Sequence, residues 1–367
     1  MTSTVDAGFR PTTPRRDAER VAATNTYRDL LRTIRDAGLL NRRQGFYLGV
    51  LGVLSAATLG AVVAFVLIGD SWWNLLVAAF LGIVLTQFAF VAHEALHRQV
   101  FASDPANNRL GRTLANGVVG ISSTWWNHKH SRHHANPNVV EKDPDIAPGV
   151  LRFTEDDAAT VRGRARSFFT RNQGWAFFPL ITLEGLNLHV TSVRSLLGTG
   201  ITWPRLREAL IIMTRLAIYV GVVFWVLSPG LAFAFLGVQL AVFGFYMGAS
   251  FAPNHKGMKI LPAGSRVDFF TKQVVTSRNI RGGVVMSHAM GGLNYQIEHH
   301  LFPTMPRPHL ARAREIVMEY CETLDVPYTE TTLLESYGIV VRYLNEVGLQ
   351  ARDPFDCPAR ASMRWDA

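Results

Sequence analysis

The stretch Phe46–Gly69 reads FYLGVLGVLSAATLGAVVAFVLIG, without one charged side chain. About 20 apolar residues in a helix cross the ~30 Å hydrocarbon of a bilayer. Three further runs, Trp73–Ala92, Ala209–Leu227 and Leu231–Ala252, are also apolar. Backbone in hydrocarbon must satisfy its own polar groups, so each run is expected as a helix. Only 18% of the residues are charged, against about 25% in soluble domains. The fold class expected is all-α integral membrane, with four transmembrane helices.

The first two runs are linked by a short turn at Asp70, and the last two by Ser228-Pro229-Gly230. Two helical hairpins result, with both tips on one side. The tips carry Asp70 and no Lys or Arg, while residues 1–44 carry nine Arg against five Asp or Glu. Arg162, Arg164, Arg166, Arg171, Arg205 and Arg207 join that basic side, which the positive-inside rule makes cytoplasmic. Topology thus accounts for the net charge of +9, and no nucleic-acid partner is needed. A multi-pass protein is expected, in the plasma membrane if the source is bacterial.

The remaining chain divides into a basic cytoplasmic segment (1–44), a membrane domain (45–325), and a cytoplasmic C-terminal segment (326–367) whose residues 352–367 read as a disordered tail. Residues 27–40 suit an amphipathic helix on the membrane surface. Thr113–Trp126 and Phe177–Val190 are apolar but too short to span, and read as interfacial or re-entrant helices. Residues 256–283 read as polar. Leu310, Ala313, Ile316, Val317 and Tyr320 keep helical spacing and predict a helix capping the site. No signal-peptide core stands near the start. Cys321 and Cys357 are too few for a disulfide framework or an iron–sulfur ligand set.

Histidines then define the chemistry. Trp125–Asn138, WWNHKHSRHHANPN, holds His130, His133 and His134 at i, i+3 and i+4, one face of a helix. HEALH places His93 and His97 at i, i+4, where the second span ends. QIEHH places His299 and His300 after Gln296 in the same rhythm. His255 follows Asn254 at the exit of the fourth span, level with His93. Eight histidines at one depth on the cytoplasmic face exceed one ion's needs and suit two imidazole-favouring transition-metal ions, iron first among them.

HEALHRQVF, KHSRHHANPN and GGLNYQIEHHLFP resemble the three histidine boxes of the membrane fatty acid desaturases. The resemblance covers about residues 45–325, and the glutamine-led third box is typical of the front-end and linoleoyl-type branch. It implies two iron ions, activation of dioxygen, and insertion of a double bond, usually cis, into a fatty acyl chain, whether carried on coenzyme A, a carrier protein or a phospholipid. The implied iron ligands are His93, His97, His130, His133, His134, His255, His299 and His300. Many front-end relatives carry a fused cytochrome domain with an HPGG motif. This sequence has no such motif, so electrons are expected from a separate ferredoxin, flavoprotein reductase or cytochrome. The first box also reads HExxH where many relatives have HDxxH.

Around these ligands, Gln296 is a candidate weak ligand. Glu94 is read as a carboxylate orienting a ligand ring; Asp143 and Asp145 of KDPDI could do the same for the second box or simply form an Asp-Pro turn. Asn254 and Asn294 are candidate donors. His128, His189, His288 and His309 fit no box and read as surface or interfacial. Arg162 to Arg171 could meet coenzyme A or lipid phosphates. A lipid hydroxylase shares the architecture. HEALH alone also fits a membrane zinc protease with Glu94 as general base. A metal transporter would place ligands at mid-bilayer, and the runs are read as lacking ionisable residues at their centres.

Overall fold

A computed structural model describes residues 26–198, 200 and 202–350; the proposed tail at 352–367 and most of the basic N-terminal segment lie outside them. In chain order the helices are α1 (26–36), α2 (Gln44–Ile68), α3 (Asn74–Leu96), α4 (Asp104–Arg112), α5 (Ser123–Ala135), α6 (Glu155–Ala159), α7 (Arg164–Arg171), α8 (Gln173–Ile181), α9 (Glu184–Leu197), α10 (Trp203–Val226), α11 (Pro229–His255), α12 (Phe269–Val275), α13 (Gly283–Ala289), α14 (Gln296–Leu301), α15 (Arg307–Thr323) and α16 (Leu333–Gln350). A π-helical segment, Thr113–Val119, joins α4 to α5. Two-residue strands, β1 (Asn279–Ile280) and β2 (Glu330–Thr331), pair in parallel.

Four helices, α2, α3, α10 and α11, are long and apolar enough to cross a membrane. They divide into an inner and an outer pair. In their apolar cores α3 and α11 are 50% and 39% buried, against 17% and 11% for α2 and α10. The inner helices can approach closely because small residues line the contact. A Cβ on Gly82 of α3 would stand 2.9 Å from the Gln239 carbonyl of α11, and one on Gly244 of α11 would stand 2.3 Å from the Gly185 nitrogen of α9. His93 and His255 sit at the ends of this inner pair. The two connecting turns also touch: Ser228 N–H donates to Asp70 Oδ1 at 2.8 Å. Trp72, Trp73, Trp203 and Trp225 stand exposed around the bundle, the placement of an interfacial aromatic belt.

Three expectations change, and one stretch read only as polar gains a helix. Helix α1 does not present a membrane face: Leu30 and Ile34 are fully buried against Leu301, Phe302 and Leu310, and Tyr27 Oη donates to the Leu301 carbonyl at 2.8 Å. Protein, not lipid, takes its apolar stripe. The patch Thr113–Trp126 is not one helix. Gly120, at φ 90°, stops the π-helical segment, and Ser122 caps a new helix through Trp125 N–H at 3.1 Å. Residues 256–283 contain α12, capped by Asp268 on Thr271 N–H. Finally, α10 begins earlier than its apolar run, and Arg215, which lies inside that run, stands near the middle of the helix. That guanidinium donates to the Val118 carbonyl at 2.9 Å and lies over the Tyr219 ring, so this membrane-length helix does carry an ionisable centre.

Candidate metal centre

The helix predicted for the second box exists, and it divides its histidines. His130 and His134 of α5 join His93, His97 and His299 in one group, while His133 joins His255 and His300 in another. Adjacent positions on a helix diverge by about 100°, so α5 and α14 each reach both groups. The structure therefore brings all eight candidate histidines together, in a five-ring and a three-ring cluster. The clusters adjoin: the His134 and His300 rings stack with centroids 4.3 Å apart.

His130 Nε2 is the hub of the larger cluster. It lies 3.0 Å from His93 Nε2, 2.9 Å from His97 Nε2 and 2.9 Å from His134 Nε2. One ring nitrogen carries at most one proton, so hydrogen bonding cannot satisfy these contacts together. Nitrogens about 2.1 Å from a shared ion and at right angles lie about 3 Å apart, so this spacing suits a cation. The buried nitrogens His93 Nδ1, His134 Nδ1, His299 Nε2 and His300 Nε2 lack a hydrogen-bond partner. Neutral imidazole donors, unspent lone pairs and near-complete burial fit a bound transition metal.

The protonation states agree. Burial pushes the His97 imidazole down to about 4. Burial and neighbouring rings hold His130, His134, His299 and His300 well below the usual histidine value. These rings stay neutral and able to ligate. His133 differs. Burial lowers it, but Asp145 and Asp143 outweigh burial and hold it above the ordinary value.

The smaller cluster is braced from behind. His133 Nδ1 stands 3.0 Å from Asp143 Oδ1, His255 Nδ1 2.9 Å from the Thr276 carbonyl, and His300 Nδ1 2.9 Å from Gln273 Oε1. Each acceptor puts the proton on Nδ1 and turns Nε2 inward. His133 and His255 Nε2 lie 3.2 Å apart, and Gln296 Nε2 stands 2.9 Å from His255 Nε2. Gln296 thus occupies the corner that a fourth histidine would take. Asn254 Nδ2 donates to Gln296 Oε1 at 3.1 Å. Asn294 is buried, with neither side-chain polar atom partnered.

Asp145 also reaches His133, at 3.4 Å, but its closer partner is Lys129 at 2.7 Å. The main brace of His133 is Asp143. Glu94 touches no histidine ring. It is buried against Arg307 and Tyr47, so it makes no direct contact with a ligand ring and does not offer the free carboxylate that a protease base needs. Facing away from the rings is what its position one residue after His93 dictates, about 100° around the helix.

Of the four histidines outside the candidate ligand set, His128 and His288 are exposed, and His309 lies on the Asn41 carbonyl. His189 is not a surface group: it bridges the Gly185 carbonyl at 2.7 Å and the Val119 carbonyl at 3.2 Å, bracing the π-helical segment. Sequence reasoning also missed Gln273, which holds His300 and donates to the His134 carbonyl at 2.9 Å. Nothing in a polar stretch marks it. Trp126, beside the second box, stacks on His130 at 4.2 Å. Glu298 points away from the metal side, toward Asn279 and Tyr328; burial pushes its carboxyl up to about 7.

The third box is set by two glycines. Gly291 and Gly292 take φ 58° and 83°, the left-handed region that glycine enters freely. A Cβ on Gly291 would stand 2.3 Å from Phe90 of α3. The turn therefore lies flat against the first-box helix and delivers α14 to the cluster.

Beside His93 lies an apolar cavity of about 40 Å³, walled by Ala115, Val119, Leu188, Met247 and Phe251, with Trp126 at its edge. Leu96 separates it from a wider polar groove of about 540 Å³ that carries Arg112, Arg132 and His128.

A family model described as fatty acid desaturase matches residues 70–332. The Delta(8)-fatty-acid desaturase 2 of Arabidopsis thaliana is 28% identical, over 93% of this chain and 78% of its own length. The Acyl-lipid (9-3)-desaturase of Physcomitrium patens is 29% identical, over 75% of this chain and 54% of its own. Fatty acid desaturase 3 of Homo sapiens is 26% identical, over 88% and 72%. With four membrane-length helices, histidine clusters suited to metal and a match that embraces all three boxes, the chain belongs to the fatty acid desaturase family.

Proposed function

We propose that this chain is a di-iron, oxygen-dependent acyl desaturase that inserts a cis double bond into a fatty acyl chain. The observation that carries the reading is the pair of adjoining imidazole clusters at the ends of the inner helices, with an apolar cavity opening onto His93. His93, His97, His130, His134 and His299 would hold one iron, and His133, His255 and His300 the other, with Gln296 at its open corner. Bound iron would supply the oxidising power that an unactivated C–H bond requires, drawing on dioxygen and two electrons from a ferredoxin, flavoprotein or cytochrome partner.

The chain's own residues do the positioning. An apolar cavity of this kind stays dry, so it takes an acyl segment and keeps water from the reacting carbons. Phe251 and Met247 stand one and two turns from His255 along α11, about 6 and 12 Å of rise, and wall the path of the chain. Leu96 marks the passage to the polar groove, where Arg112 and Arg132 suit the anionic end of an acyl carrier. The relatives named Delta(8) and (9-3) favour a front-end reaction.

We read the membrane domain as residues 45–325, between cytoplasmic segments 1–44 and 326–367. Reporter fusions at residues 70 and 229 should read as outside, and at 150 and 340 as cytoplasmic. A cytoplasmic signal at 70 would break the topology. The function is tested by lipid profiling of a host expressing the protein. New unsaturated acyl chains, absent with His130→Ala, are expected. Hydroxylated chains would favour the hydroxylase, and one zinc without iron the protease.

A further inference from the structure

Glu94 and Arg307 are only 2% exposed, yet they form a two-pronged ion pair. Arg307 Nε donates to Glu94 Oε1 at 2.8 Å, and Nη2 donates to Oε2. Tyr47 Oη of α2 lies 3.2 Å from Glu94 Oε1 and accepts the Arg307 backbone N–H at 3.1 Å. Two further ties run alongside. Gln99 Nε2 donates to the Pro303 carbonyl at 2.8 Å. Arg42 donates to the Phe101 carbonyl at 3.2 Å and to the Thr304 carbonyl at 2.9 Å. All of them join the segment at and beyond the first box, 94–101, to the segment just beyond the third, 303–307.

Stability does not require such a pair. Replacing a buried ion pair with apolar groups of similar volume is often neutral or stabilising. What a bidentate guanidinium–carboxylate pair provides is a fixed geometry. The geometry at stake is visible. His299 comes to the five-ring cluster from the third box, its ring 4.8 Å from His93 and 5.0 Å from His97. His300, its neighbour, is held separately by Gln273.

We infer that Arg307 is a positioning residue: through Glu94 and Tyr47 it sets the spacing between the first-box histidines and His299, and so the shape of the five-histidine site. The inference rests on the two-metal reading. It assigns the glutamate of HEALH to the partner behind the helix and leaves the three-histidine site independent of it.

The test uses full-length protein in detergent, as wild type, Arg307→Lys, and the double variant Glu94→Leu/Arg307→Met. Three quantities are read: bound metal per chain, thermal unfolding after chelation, and the absorption spectrum after cobalt loading. The double variant should unfold at the wild-type temperature or above it. It should bind one ion at wild-type strength and the other roughly 10- to 100-fold more weakly, with the cobalt spectrum altered for one site. Arg307→Lys keeps the charge without the fork and should show a smaller selective loss; it carries the test if the double variant does not fold. Two ions bound as in wild type with an unchanged spectrum would overturn the inference. So would loss of both ions in step with lost thermal stability, the mark of a purely structural tie. A wild type holding fewer than two ions would instead overturn the metal reading itself, and the inference with it.

Discussion

The two histidine clusters are built by different means. The larger gathers five rings packed on one another: three nitrogens crowd within 3.0 Å of His130 Nε2, and Trp126 stacks on that ring. Behind it, His93 Nδ1 and His134 Nδ1 have no acceptor. The smaller has three rings, and each has an acceptor on its far nitrogen: Asp143, the Thr276 carbonyl or Gln273. A site can hold an ion by the number of its ligands or by how firmly each is aimed. Here the two strategies stand side by side on the same helices.

The comparison is tested most strongly at the hub. His130→Ala removes the ring that three others face. It should abolish desaturation and cost the five-histidine site more metal affinity than the roughly 10- to 100-fold typical of losing an outer partner. Metal analysis should show one ion lost and one kept. Retention of both would mean that His130 is a bystander among the other four.

The next effect belongs to His255, the histidine outside the three boxes. In a three-ring site, loss of one ring leaves two, so His255→Ala should lose metal and activity as fully as His97→Ala does. His309→Ala is the matched control, since that ring rests on the Asn41 carbonyl away from both clusters, and it should retain both. His189 is a poorer control than its sequence implies, because it braces Val119 beside the cavity. Equal behaviour of His255→Ala and His309→Ala would remove His255 from the site.

A smaller loss is expected from the brace. Asp143→Asn keeps the size of the group but not its charge, and the charge is part of what holds His133 above the usual histidine value. Metal affinity at the three-histidine site should fall by roughly 10- to 100-fold, with the five-histidine site unchanged in titrations of metal-free protein. An equal fall at both sites would show that the clusters are not separately braced.

How much of this was legible beforehand depends on range. The spans and the boxes are local: apolar length and the i, i+3, i+4 rhythm state them in the residues themselves. Glu94, by contrast, has meaning only through Arg307, 213 positions away, and Gln273 only through His300, 27 positions away. No local pattern announces such partners. The start of α10 lies ahead of its apolar run for a related reason. Glu208 looks too polar for a membrane helix, but its carboxylate is buried on Ser122, Ser123 and Thr124, at the start of the second-box helix. The split of one histidine face between two clusters also needed the fold, since spacing says which rings are neighbours but not how many ions they surround.

Gln296 gives the finest division between the two strategies. It stands in the third box where the second has His130, three residues before a histidine pair. His130 is a hub; Gln296 makes one contact with the cluster, 2.9 Å to His255 Nε2, and is turned by Asn254. A carboxamide is a weak ligand for iron beside imidazole, so its share of ion binding is small. Its share of orientation is a single hydrogen bond, about 1 kcal/mol. Gln296→Ala should therefore lower activity by roughly fivefold, the equivalent of that energy, and leave most of the metal in place, whereas His299→Ala strips it. Gln296→His makes the opposite test. If the three-histidine site lacks only a fourth imidazole, the variant should bind metal more tightly there. If aim matters more than number, the larger ring, without Asn254 to place it, should bring no gain. Complete metal loss in Gln296→Ala would show that this corner is a true ligand and that the two clusters are more alike than their residues suggest.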